Sequence, residues 1–219
     1  MAVTGLSLVV HGSVAHAQIG PLRLDGVAAT VGGRSPGPNV TTILRSDVEL
    51  RARLKLSGRR GLGPQPQLPA SLLSATLAEM IGEYLIVREA RRIRSVAPAK
   101  AEVRAELSRL HDAAGGSERV TRLLTQLSAD PTELARIARR RAAVAAFLRS
   151  NLEGATVVTE AEIDVVVAER AVEGVPPARA REAVRRRLWR TALDRSIAHW
   201  VRVLRARTVV KVHADFVAD

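Results

Sequence analysis

The chain has 219 residues, enough for one domain or one domain with an extension, and 47% of it is apolar, so a sizeable core can be buried. Aromatic residues make up only 2%, which leaves Leu, Val, Ile and Ala to fill that core and favours helix-on-helix packing over a β-sandwich. There is no cysteine, which excludes disulfides, thiolate metal sites and Cys nucleophiles, and the formal net charge is +12.

That charge invites a nucleic-acid or anionic-membrane reading. The basic residues are almost all arginine, with lysine only at Lys55, Lys100 and Lys211, and they are spread along the chain among Glu and Asp. This distribution reads as a solvated basic surface rather than a dedicated polyanion site.

Residues 1–17, MAVTGLSLVVHGSVAHA, combine an apolar run from Leu6 to Val10 with a small-residue stretch ending in Ala15-His16-Ala17. The A-x-A form is that of a signal-peptidase site, so the reading is a leader cleaved between Ala17 and Gln18. No Lys or Arg precedes Arg23, so the basic start of a usual leader is missing. The apolar run is too short to span a bilayer, and no other segment is expected to reach transmembrane length.

Val27–Val31 and Val40–Leu44 are short and β-branched and read as two strands, joined by the turn-rich GGRSPGPN. Ser46-Asp-Val-Glu49 reads as a capping box that opens a helix to about Leu56. The Gly- and Pro-rich residues 57–69 mark a connection. A long helix is predicted from about Ser71 to Arg94, with Leu73, Leu77, Met80, Tyr84 and Val87 as its apolar stripe. A second carries Val103, Leu107 and Leu110 and stops at Gly115-Gly116. Ser117 is expected to cap a short helix bearing Val120, Leu123, Leu124 and Leu127. Asp130-Pro131-Thr-Glu133 opens the next, with Leu134, Ile137, Leu148 and Leu152.

Thr159-Glu-Ala-Glu162 caps one more helix, ending near Glu173. After Gly174-Val-Pro-Pro177 a last helix runs to about Arg207, some 45 Å at about 1.5 Å per residue. Its stripe is Trp189, Leu193, Ile197, Trp200 and Leu204. Thr208–His213 has strand composition, and its backbone groups need partners. The candidates are the two opening strands, so the fold class is mainly α, multi-helix, with a small β-sheet that joins the N- and C-terminal strands.

VAATV, TTILRSDVELRARL and LLSATLAEMIGEYLIVREARR, taken in order, resemble the opening of SurA-type periplasmic chaperones and their PpiC-linked relatives. VTEAEIDVVVAER resembles the family's last helix before its isomerase module, and REAVRRRLWRTALDRSIAHWVRVLRARTVVKV resembles its closing helix and strand. The resemblance covers residues 22–213, a SurA N-terminal-like helical domain including closing helix 177–207 and terminal strand 208–213, behind the leader at 1–17. It implies a periplasmic module that binds unfolded outer-membrane proteins in an apolar crevice. The parvulin isomerase domain that commonly precedes the closing helix needs on the order of a hundred residues. Here only Glu173 to Ala180 fill that place, so the resemblance is to a form lacking the isomerase.

The histidines, His11, His16, His111, His199 and His213, show no metal-site spacing, and no phosphate-cradling or nucleophile motif is present. Glu79 with Glu83, and Glu160 with Glu162, read as capping and helix-face partners rather than catalytic carboxylate pairs. No catalytic residue, cofactor or metal is expected. Arg139-Arg140-Arg141 and Arg185-Arg186-Arg187 cannot each form one patch, because successive helical residues point about 100° apart. Residues 117–141 mimic a helix-turn-helix and keep a cytoplasmic DNA-binding regulator as the alternative. A third reading is an envelope scaffold without chaperone activity.

The candidate client-binding residues are Tyr84, Trp189 and Trp200, amphipathic rings suited to varied apolar segments. The expected function is non-catalytic binding of unfolded or extended polypeptides. The expected partners are outer-membrane proteins, with neither nucleic acid nor integral membrane insertion.

Overall fold

The computed structural model describes residues 25–33, 38–58, 67–95, 97–152, 158–169 and 177–213. The leader at 1–17, the centre of GGRSPGPN and the segment 170–176 lie outside them. Two strands open the fold, β1 (Val27–Val31) and β2 (Thr41–Leu44). Seven helices follow among the described residues: α1 (Arg45–Ser57), α2 (Ala70–Arg92), α3 (Lys100–Ala113), α4 (Ser117–Gln126), α5 (Thr132–Leu152), α6 (Glu160–Glu169) and α7 (Pro177–Arg207). Strand β3 (Val210–Val212) closes it.

The three strands form one antiparallel sheet in the order β2-β1-β3. The terminal strand therefore pairs with the first of its two candidates, with Ala29 opposite Val212 and Val31 opposite Val210. Beyond the ladder, the Gly32 amide donates to the Val209 carbonyl at 2.8 Å and the His213 amide to the Ala28 carbonyl at 3.0 Å. Gly32 has φ +104°, and a Cβ there would lie 2.7 Å from the Asn39 carbonyl oxygen, so glycine is required at this corner.

Two apolar clusters hold the helices. In the first, Ala29, Val31 and Ile43 of the sheet meet Val48 of α1, Met80, Leu85 and Ile86 of α2, Phe147 of α5 and Leu204 of α7. Phe147 is 1% exposed and the largest fully buried side chain, and the Trp200 ring meets it edge-on at 5.7 Å. The second cluster joins Leu50 and Leu54 of α1, Leu110 of α3, Val120 and Leu124 of α4, and Leu134 and Ile137 of α5. Helices α1 and α5 serve both, so they hold the body together.

Helix α2 is buried on more than the expected stripe: Thr76, Ile81, Gly82, Leu85 and Ile86 are covered as well as Leu77 and Met80. By length and composition α2 could cross a membrane, which corrects the expectation that no segment beyond the leader approaches that length. The apolar residues that pass that test include Leu77, Met80, Ile81, Leu85 and Ile86, and these pack in the first cluster.

The helix starts refine three capping expectations. Helix α1 begins at Arg45, and the Leu44 amide donates to Asp47 Oδ2 at 3.1 Å. Ser46 is inside the helix and its hydroxyl donates to Asp25, so it tethers the residues just before β1 rather than capping. Glu49 pairs with Arg53 one turn on. Gly116, not Ser117, is the N-cap of α4. The box before α6 forms as read: the Thr159 amide donates to Glu162 Oε2 at 2.8 Å, and the Glu162 amide to Thr159 Oγ1 at 3.3 Å.

Candidate functional site

Two surfaces emerge from the packing. The first is a cleft of about 1090 Å³ between α2, α5 and the end of α7, bordered by the end of the sheet where β1 stops and β2 and β3 begin. Its walls are set by helical periodicity. On α2, Arg88, Arg91 and Arg92 share one face, and on α5, Arg136, Arg139 and Arg140 do the same at the same spacing. Arg207, at the end of α7, completes the ring. Glu89 is the one carboxylate lining it among the described residues.

Beneath this cleft lies a buried ionic relay. Arg51, 5% exposed, pairs with Glu83, whose other oxygen accepts from Arg140 Nε at 3.1 Å. Arg140 Nη1 also donates to the Tyr84 hydroxyl at 2.6 Å, and its guanidinium carbon lies 4.4 Å from the Tyr84 ring centre. One carboxylate thus serves two guanidinium groups, and Arg51 Nη1 is buried without a hydrogen-bond partner. Burial lowers the Arg51 pKa, with Glu83 opposing it. Burial raises the Tyr84 phenol, against the pull of the Arg140 charge. Removing Glu83 would leave two cations facing each other in a covered site, the costly way to break a buried pair.

A similar arrangement binds α3 to α5. Glu106 accepts from Arg109 at 2.6 Å, and its other oxygen lies 2.8 Å from Arg141 Nε. The latter approach is close but too bent for a hydrogen bond, so it contributes as an ion pair only. The triplet Arg139–Arg141 is therefore split three ways: Arg139 into the cleft, Arg140 onto Glu83 and Tyr84, Arg141 onto Glu106.

The second surface belongs to α6 and the first half of α7. Ile197, Trp200, Val201 and Leu204 bring the second half of α7 into the first cluster, whereas none of the described side chains from 178 to 196 enters either cluster. That first half packs on α6. Glu160 pairs with Arg185 and Arg181, and Asp164 with Arg181, an order that fits antiparallel helices. Trp189 is 42% exposed and Val165 is 58% exposed.

The three candidate client-binding rings are thus not brought together. Trp200 is a core residue against Phe147, Tyr84 lies in the ionic relay at the cleft, and Trp189 alone presents an exposed ring. Among the described residues no three His, Asp or Glu side chains converge on one point. Glu79 pairs with Lys55 and Glu83 with Arg51, as helix-face and buried partners. The sequence reading missed Arg51, the Arg cleft and Phe147. The repeat of arginines at i, i+3 and i+4 on two helices was the signal that could have revealed the cleft.

No protein-family model matches the chain, and no curated protein matches it.

Proposed function

We propose that this protein binds unfolded or extended polypeptide in the cell envelope, as a non-catalytic chaperone of the SurA type that lacks the isomerase module. The observation that carries the reading is the course of α7. Its second half closes the core while its first half, with α6, leaves Trp189 and Val165 uncovered. Two opening strands followed by helices, and a long closing helix that runs into a terminal strand, are the order implied by the resemblance. Apolar burial is non-directional and scales with area, which suits weak capture of many sequences. In this reading the chain is exported, with cleavage between Ala17 and Gln18. Its clients are outer-membrane proteins before insertion, and the cycle needs no ATP.

The regulator reading over residues 117–141 is disfavoured by the placement of α5. The helix that would enter a groove packs against α2, α3 and α7, and Arg140 and Arg141 are engaged by Glu83 and Glu106. The deciding experiment is light scattering during dilution of an outer-membrane protein from urea, at moderate salt. The protein in molar excess is expected to suppress aggregation without ATP. Unaffected scattering together with duplex binding that weakens steeply with salt would install the regulator instead.

A further inference from the structure

We propose that the arginine cleft between α2 and α5 is a binding site for an extended acidic polypeptide segment, seated against the end of the sheet at which β2 begins. This deepens the polypeptide-binding reading and rests on it for the class of ligand.

The cleft is built for negative charge. Seven guanidinium groups line it against one carboxylate among the described residues. Several are already engaged at their inner ends: Arg92 by Glu89, Arg136 by Glu133 and Arg140 by Glu83. Arg91 and Arg139, one from each wall, have no carboxylate partner among the described residues and are both exposed. Arg88 donates to the Asn39 carbonyl at 2.8 Å, which holds it against the strand side. Guanidinium groups kept in place by such contacts lose little freedom on meeting an anion, and each can grip a carboxylate with two parallel hydrogen bonds.

The shape of the walls selects among anions. Strand β2 is an edge of the sheet, and no strand pairs with its outer side among the described residues. Val40 and Thr41 line the cleft. Thr42 and Leu44 line a smaller recess of about 280 Å³ that shares Tyr84, Arg136 and Arg140 with the cleft but also holds the Asp47 and Glu133 carboxylates, so the acidic side chains belong in the cleft itself. The start of an edge strand opposite a row of guanidinium groups suits an extended chain laid against it. Because alternate side chains of a strand point the same way, acids at every second position would all face the arginines. Single-stranded nucleic acid fits less well. Tyr84 is the one aromatic lining the cleft, and Arg140 already lies over its ring, so there is no row of aromatic platforms for successive bases.

The test uses the full chain and fluorescently labelled peptides of about eight residues, within the usual strand length. One alternates Glu with Thr, and its counterpart carries Gln at the same positions. Fluorescence anisotropy at moderate salt is expected to show the Glu peptide bound at least about tenfold more tightly, as charge-assisted bidentate contacts allow. The double variant R91E/R139E is expected to abolish that preference. The control R187E/R202E makes the same change in net charge at exposed positions outside the cleft and should keep it. Circular dichroism on both variants checks that the helices remain.

Equal affinity for the two peptides, equal loss in both variants, or displacement of the Glu peptide by a single-stranded oligonucleotide of the same charge that binds more tightly would each overturn the proposal. The same preparations are run in the scattering assay with an uncharged apolar client. Suppressed scattering without a Glu preference rejects the acidic site alone. A Glu preference that follows the cleft, with scattering unaffected, rejects the chaperone reading alone.

Discussion

The body of the molecule and the α6–α7 arm use the same vocabulary of Ala, Val, Leu and Arg but are held by different forces. In the body, the stripes of α1, α2 and α5 find partners on two sides, and side chains such as Phe147, Met80, Leu85 and Val120 are almost fully covered. Each such residue contributes about 1.5–3 kcal/mol by leaving water. In the arm, Ile163 is the buried apolar side chain, and the contacts between helices include the exposed pairs of Glu160 and Asp164 with Arg181 and Arg185. Exposed pairs of this kind contribute little, because water and salt screen them. The arm is therefore the low-stability end of the fold, and Val165 and Trp189 stay outside the core.

The contrast can be broken most sharply at Phe147. Replacing it with Ala removes the ring that Trp200 packs against and should destabilise the whole protein by about 3–5 kcal/mol, read as a shift in the urea midpoint. A shift as small as that of a surface variant would show that the first cluster does not hold the body. Next in size is the joint between the chain ends. A chain ending at Arg207 loses β3 and its bonds to Gly32 and Ala28, a cost of about 1–3 kcal/mol seen as a lower Tm. An unchanged Tm would remove the sheet from the account.

Acid should sharpen the difference. Hydrogen bonds from Arg185 and Arg181 lower the Glu160 pKa, and those from Thr159 lower that of Glu162. Groups depressed on folding stabilise above the ordinary carboxylate range, and that contribution is lost as pH falls through the folded pKa, below about pH 4. Hydrogen exchange is expected to show α6 losing protection relative to α2 on acidification. A constant ratio between the two helices would refute the ionic account of the arm. The smallest effect belongs to Trp189→Ser, which should change stability by less than about 0.5 kcal/mol while weakening client capture. A large loss of stability would make Trp189 a packing residue instead.

Much of the architecture was legible because local chemistry marks it. The β-branched runs, the Thr159–Glu162 box, Gly115-Gly116 and the Pro177 start each act within a few residues. Ser46 was misread because its choice of partner, Asp25, is settled in three dimensions rather than along the helix. The candidate rings fared unevenly for a related reason. Trp189 and Trp200 lie on one stripe of one helix, yet that helix leaves the core between them, and a stripe carries no record of where its partner ends. The cleft escaped notice because arginines were weighed as consecutive triplets. Helices present residues three and four apart, and it takes α2 and α5 side by side to turn two such sets into one surface.

The sheet ties the first strand of the fold to the last, and this has a kinetic meaning. Between β1 and β3 in sequence stand all seven helices, so the contact that completes the sheet has nearly the highest sequence separation the chain offers. Closing so long a loop costs entropy that grows slowly with its length, and non-local pairing of this kind slows folding. On a chain that emerges from its amino terminus, the helical clusters can form early while one side of β1 stays open. The arrival of β3 then acts as a latch on a body already assembled.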